Sequence, residues 1–211
     1  MTKIATKGGA PSLKDLLPKA AQPVAHRSVG EHENHTFLLG SVVILGMNLT
    51  TFTMAHVIIS LVAIVAGLVV MFGMLGSRQM PGLTWTFLAF TILASASGFL
   101  IPPLLFDKLL PSHIIGILSL VLLAIACFAR YRKRQTGAWR WIYALSALVS
   151  LYLNVFVFVI QSFLKVPALH ALAPSVPPAE LPFIVVQGIV LAFFVVVIIG
   201  VIRRYRVTPT A

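Results

Sequence analysis

Residues 54–77 read Met54-Ala-His-Val-Ile-Ile-Ser-Leu-Val-Ala-Ile-Val-Ala-Gly-Leu-Val-Val-Met-Phe-Gly-Met-Leu-Gly-Ser77, without one charged side chain. A helix of about 20 apolar residues crosses the hydrocarbon core of a bilayer, so this stretch predicts a membrane span. Further uncharged stretches of similar length follow at 81–106, 109–129, 141–164 and 181–202. All charge is confined to the segments between and outside them. Only 10% of the 211 residues are charged and 59% are hydrophobic, whereas a soluble domain carries roughly 25% charged residues. The expected fold is all-α: an integral membrane helical bundle over 54–206, with five spans, a four-helix core and a short C-terminal tail at 207–211.

Residues 1–53 lack helical periodicity and are rich in small and turn-forming residues, which predicts a disordered tail or an over-extended start with the native chain beginning at Met47 or Met54. The alternative is a sixth helix over 36–53, weakened by Asn48, Thr50, Thr51 and Thr53. A secretory signal peptide does not fit so long a polar lead. His26, His32 and His35, with Glu31 and Glu33 between them, resemble a weak metal site but read more simply as solvated side chains.

The net charge of +11 does not imply nucleic acid, because the basic residues sit between apolar spans rather than on a polar, base-reading face. It reports orientation instead. Arg130, Arg132, Lys133, Arg134 and Arg140 lie between the third and fourth stretches with no acid among them, and cytoplasmic loops carry such an excess. Alternation then places Arg78 and the Arg203-Arg204-Tyr205-Arg206 tail in the cytoplasm as well. Asp107, Lys108 and the loop from Lys165 to Glu180 fall outside. Trp85, Trp139, Trp141, Tyr143 and Tyr205 lie near the basic ends of their spans, as interfacial aromatics do. The expected location is the cytoplasmic membrane of a bacterium, with lipid as the main partner. The single cysteine, Cys127, excludes an intrachain disulfide or a multi-Cys zinc site. No Walker loop, HExxH, GxSxG or CxxC motif is present, so nucleotide, zinc-protease and hydrolase chemistry have no support.

Small and polar residues mark the helix faces that meet in lipid. His56, Ser60, Ala63 and Gly67 form one stripe, and His113, Gly116, Leu120, Ala124 and Cys127 form another. Ala94 and Gly98 are a small-xxx-small pair beside Ser95 and Ser97. Tyr143, Ala147, Ser150, Asn154 and Gln161 share one side of the fourth span, and Gln187 opens a nearly featureless fifth that suits the lipid-facing edge. The topology gathers His56, His113, Gln161 and Gln187 in the outer leaflet, below His170 in a Pro-rich flap with one helical turn. Intramembrane polar groups are costly and mark function. Two facing histidines suit the axial positions of one b-type haem, with Lys108 and Lys165 meeting its propionates; the same cluster suits a quinone held by His and Gln hydrogen bonds, or a copper or zinc ion held by His56, His113 and His170. The bland reading is that each histidine lies within a turn of a helix start, hydrated or bonded to backbone, and that Asn154 and Gln161 are interhelical glue.

The run Met54-Ala-His-Val-Ile-Ile-Ser, then Ala94-Ser-Ala-Ser-Gly-Phe, Pro111-Ser-His-Ile-Ile-Gly and, after a basic loop, Trp139-Arg-Trp-Ile-Tyr-Ala-Leu, resembles small uncharacterised bacterial multi-pass membrane proteins. These are distantly similar in layout to b-type membrane cytochromes. The resemblance covers roughly 54–165 and implies four packed helices with haem or quinone contact. The chain departs from di-haem cytochromes in lacking a second His pair at the basic side, so the resemblance implies at most one haem, at the outer side. The expected function is a redox or accessory role at the His56 and His113 site. Two alternatives remain: a non-catalytic subunit or assembly factor packing against a partner complex or a second copy, and a small transporter. The spans hold no Asp, Glu, Lys or Arg to couple ion movement, which disfavours the last.

Overall fold

A computed structural model describes residues 43–44, 46–101 and 111–205, within a compact unit that runs from Val43. The histidines at 26, 32 and 35, Asp107, Lys108, Arg206 and the 207–211 tail lie outside the described residues. The chain enters through a two-stranded antiparallel turn, β1 (Val43–Ile44) and β2 (Met47–Asn48). Helix α1 (Leu49–Leu75) then starts five residues before the uncharged stretch, because the Asn48 side chain accepts the Thr51 backbone N–H at 2.8 Å and so satisfies one orphan donor of the first turn. Residues 43–44 and 46–48 are accordingly not helical, and 49–53 are the opening of α1 rather than tail or separate helix.

Helix α2 (Pro81–Gly98) begins with proline in its first turn, where the missing N–H costs nothing. It stops well short of the expected end at 106: Pro102 and Pro103 follow, and the residue before a proline is pushed out of the helical region. After it come α3 (Pro111–Cys127), a π-helical turn (Phe128–Arg132), α4 (Trp139–Lys165), the single turn α5 (Pro167–His170) and α6 (Leu181–Arg204). The bundle is all-α as expected. Among the described residues four segments are long and apolar enough to cross a membrane: Leu49–Leu75, His113–Arg132, Trp139–Lys165 and Leu181–Arg204. Helix α2 is not among them. Its 18 residues span about 27 Å at 1.5 Å each, and Thr84, Thr86, Thr91, Ser95 and Ser97 dilute its apolar character.

Helix α4 packs against each of the other four long helices, while α2 stands between α1 and α3, and α1 also meets α6. The main core joins Met71 of α1, Phe87 of α2, Leu123 of α3, Ala147 and Leu151 of α4 and Val201 of α6. Gly67 is tightly enclosed within it: a Cβ there would lie 2.5 Å from Leu151 Cδ1 and 2.8 Å from Phe87 Cδ2, so a larger residue would have to displace side chains of α2 and α4 that now pack on the bare backbone of α1. The expected stripe on α1 is thus inward at Ala63 and Gly67. On α3 it is displaced. Ser119, Leu123 and Ala126 are buried, whereas Ala124 is exposed; the helix leans near its start on Phe99, the residue after α2, and joins the main core only in its second half. Large apolar side chains such as Ile58, Val65, Ile189 and Val196 stay exposed, which is the surface a lipid bilayer covers.

Candidate functional site

His56 sits on the second turn of α1, half-buried. Its Nδ1 is 2.8 Å from Ser97 Oγ on α2, and its Cε1 lies against the bare Cα of Gly98, 3.6 Å from where a Cβ would stand. Ser97 Oγ is also 3.2 Å from the Ala94 carbonyl. When that hydroxyl donates to Ala94, the imidazole Nδ1–H donates to Ser97 Oγ; in the other tautomer Ser97 donates to Nδ1. The ring is therefore fixed in orientation by α2 while retaining Nε2 as a second polar atom. Ser60, expected on the same stripe, bonds back to the His56 carbonyl at 2.9 Å. Beside the imidazole is a 230 Å³ groove between α1 and α2, lined by Phe52, Ala55, His56, Ile59, Leu93 and Ser97 among others, almost entirely apolar.

His113 is buried at the start of α3, with its ring centroid 5.9 Å from that of Phe99 in a tilted contact. Phe99 also covers Gly116, where a Cβ would meet its ring at 2.9 Å. The room that Gly116 provides is thus taken by an aromatic side chain of this chain. Each histidine meets the far end of α2, His56 through Ser97 and Gly98 and His113 through Phe99 just beyond it, and α2 stands between the helices that carry them.

The remaining expected ligands are dispersed. Gln161 is exposed. The far half of α4 buries Val159 and Phe163 instead, against Ala173 after α5 and Phe183 of α6, and this turns Gln161 away from the face that Tyr143 and Ser150 occupy. Gln187 is buried on the α6 seam, and neither atom of its amide has a hydrogen-bond partner; His170 Nδ1 and Asn154 Nδ2 are likewise buried and unpartnered. Among the described residues no three His, Cys, Asp or Glu side chains converge to hold a metal ion, so His56, His113 and His170 do not form the expected three-ligand set. Lys165 ends α4 and is exposed.

At the basic end, Tyr143 and Tyr205 differ from the interfacial aromatics expected there. Both are buried, at 0% and 2% exposure. Tyr205 donates its hydroxyl to Gln135 Oε1 at 2.8 Å, tying the end of α6 to the loop before α4. Burial pushes the Tyr205 phenol up, against the opposite pull of Arg130, the Gln135 hydrogen bond and Arg140. Gln135 is not marked in the sequence: a lone glutamine in a run of basic residues carries no signal until the fold buries it.

Comparison with protein-family models, with characterised proteins and with solved structures finds no match to this chain.

Proposed function

We propose that the chain is a multi-pass protein of the bacterial cytoplasmic membrane, basic end inward, that binds a quinone-type head group between α1 and α2 in a redox or accessory role. The observation that carries this reading is the His56 imidazole, fixed by Ser97 at 2.8 Å, facing an apolar groove of 230 Å³. Sites for drug-sized ligands measure about 300–1,000 Å³ and combine apolar walls with few placed polar groups; this smaller groove suits one substituted ring whose tail leaves between the lipid-facing side chains. An imidazole whose tautomer is coupled to a serine hydroxyl offers a donor to a ring carbonyl in one state and an acceptor to a ring hydroxyl in the other. A quinone and its quinol require that pair of states. Phe99 over Gly116 favours such a ring over a macrocycle bridging His56 and His113, and the dispersed histidines favour it over a metal ion.

The test is a titration of detergent-purified protein with a short-chain quinone, alongside its absorption spectrum. Saturable binding that weakens about tenfold in His56→Ala, as losing a hydrogen bond of about 1.4 kcal/mol requires, is the expected result. Equal affinity in the variant, or a haem Soret band in the native protein, would overturn the assignment.

A further inference from the structure

The groove beside His56 has a single hydrogen-bonding end. Of the side chains that line it, only His56 and Ser97 carry nitrogen or oxygen. Ser97 has no proton to spare: its one O–H goes either to the Ala94 carbonyl, at 3.2 Å, or to His56 Nδ1, at 2.8 Å. The neighbouring hydroxyls are spent as well. Ser60 donates to the His56 carbonyl at 2.9 Å, and Ser95 faces Ser119 of α3 at 3.4 Å. The Nε2 atom of His56 is thus the one side-chain atom that can donate a strong hydrogen bond to a guest in the groove. The remaining walls are hydrocarbon apart from the Met47 thioether, a weak acceptor, and Leu93 and Leu100 keep their edge exposed to lipid.

A para-quinone carries its two oxygens at opposite ends of the ring. With one at Nε2, the other lies across the ring from the imidazole, while Ser97 sits on the Nδ1 side. No lining side chain is left to pair with that second oxygen. A polar group stripped of water without a partner weakens binding by about fivefold to a hundredfold, so replacing it by hydrogen removes a penalty and no hydrogen bond. We propose, resting on the reading of this groove as a ring-binding site, that His56 Nε2 grips one oxygen only, which widens the ligand class from quinones to lipids whose planar ring bears a single free ketone or phenol. The coupled tautomers serve both. Nε2–H donates to a ketone when Ser97 donates to Nδ1, and bare Nε2 accepts from a phenol when Ser97 donates to Ala94.

Two measurements on detergent-purified full-length protein test this. The first is anaerobic titration calorimetry with 1,4-naphthohydroquinone and with 1-naphthol, the same planar bicycle with one hydroxyl fewer, on native protein and His56→Ala. The naphthol is expected to bind at least as tightly as the quinol, and both are expected to weaken about tenfold in the variant. The second needs no variant and decides the matter if His56→Ala loses its helical circular dichroism: infrared difference spectra of bound 1,4-naphthoquinone, whose two carbonyls are equivalent in solution. One C=O stretch should move down while the other keeps its frequency in alkane. A preference of about tenfold for the quinol over the naphthol, or equal downward shifts of both carbonyls, overturns the single anchor and leaves the quinone site standing. Saturable binding of neither ligand, affinities for both that ignore His56, or two unshifted carbonyls overturn the ring site and its anchor together.

Discussion

Gly67 is where one added carbon matters most. Gly67→Ala would drive a Cβ to 2.5 Å from Leu151 Cδ1, and overpacking of this kind costs about 1–3 kcal/mol. Thermal unfolding in detergent should show the loss. Gly188→Ala is the control: nothing lies within 4 Å of its Cβ position on α6, so the change to a better helix former should leave the bundle as stable or raise it by up to about 1 kcal/mol. At the basic end, Tyr205→Phe strands the buried Gln135 amide and should cost about 1–3 kcal/mol, read in the same assay. None of these positions differs from its neighbours in residue type alone. The stripe containing Gly67 was legible from spacing, because glycine and alanine repeating along a helix are what close approach requires. Gln135 was not, because its importance comes from a contact 70 positions away in sequence.

At the scale of elements, the flap between α4 and α6 is held by one carboxylate. Glu180 accepts the Ser175 N–H and hydroxyl at 2.9 Å each and the Ala179 N–H at 3.0 Å. Slight desolvation works upward on this carboxyl, but the hydrogen bonds from Ala179 and Ser175 outweigh it, and the net shift is downward. A carboxyl lowered in the folded state stabilises above its unfolded value and loses that contribution as pH falls through the folded one. The amides of Ser175 and Ala179 should therefore be protected at neutral pH and exchange faster, relative to their intrinsic rates, once pH drops below the usual carboxylate range. Glu180→Gln should remove most of that pH dependence; unchanged protection in both proteins would show that the latch is held elsewhere. Proline positions made this segment recognisable as a loop with a turn at His170, since proline forbids helix on steric grounds alone. The latch depends on backbone that folds back over five residues, which no local pattern reports. Helix α4 gives the complementary case: a repeat of three and four placed Gln161 beside Tyr143, but the partners change along 27 residues and the buried face turns with them.

For the whole molecule, apolar stretches bounded by charge made the bundle legible, because lipid leaves the chain few ways to satisfy its backbone. Which helices touch was less so: small residues mark a face without naming its partner, and the insertion of α2 between α1 and α3 separated two histidines that topology alone had put together. The proposed orientation makes its own prediction. In a Cys127→Ser background, a membrane-impermeant maleimide should label Thr136→Cys only from the cytoplasmic side and Val176→Cys only from the other; the reverse would invert the topology. Helix α2 also bears on how the protein is made. Eighteen residues carrying five hydroxyls partition poorly from a translocation channel into lipid on their own, while α1 is long, strongly apolar and synthesised immediately before it. A helical hairpin is the unit of insertion this predicts, α1 holding α2 in the bilayer through contacts such as His56 with Ser97 until α3 arrives at Ser95 and α4 packs against both.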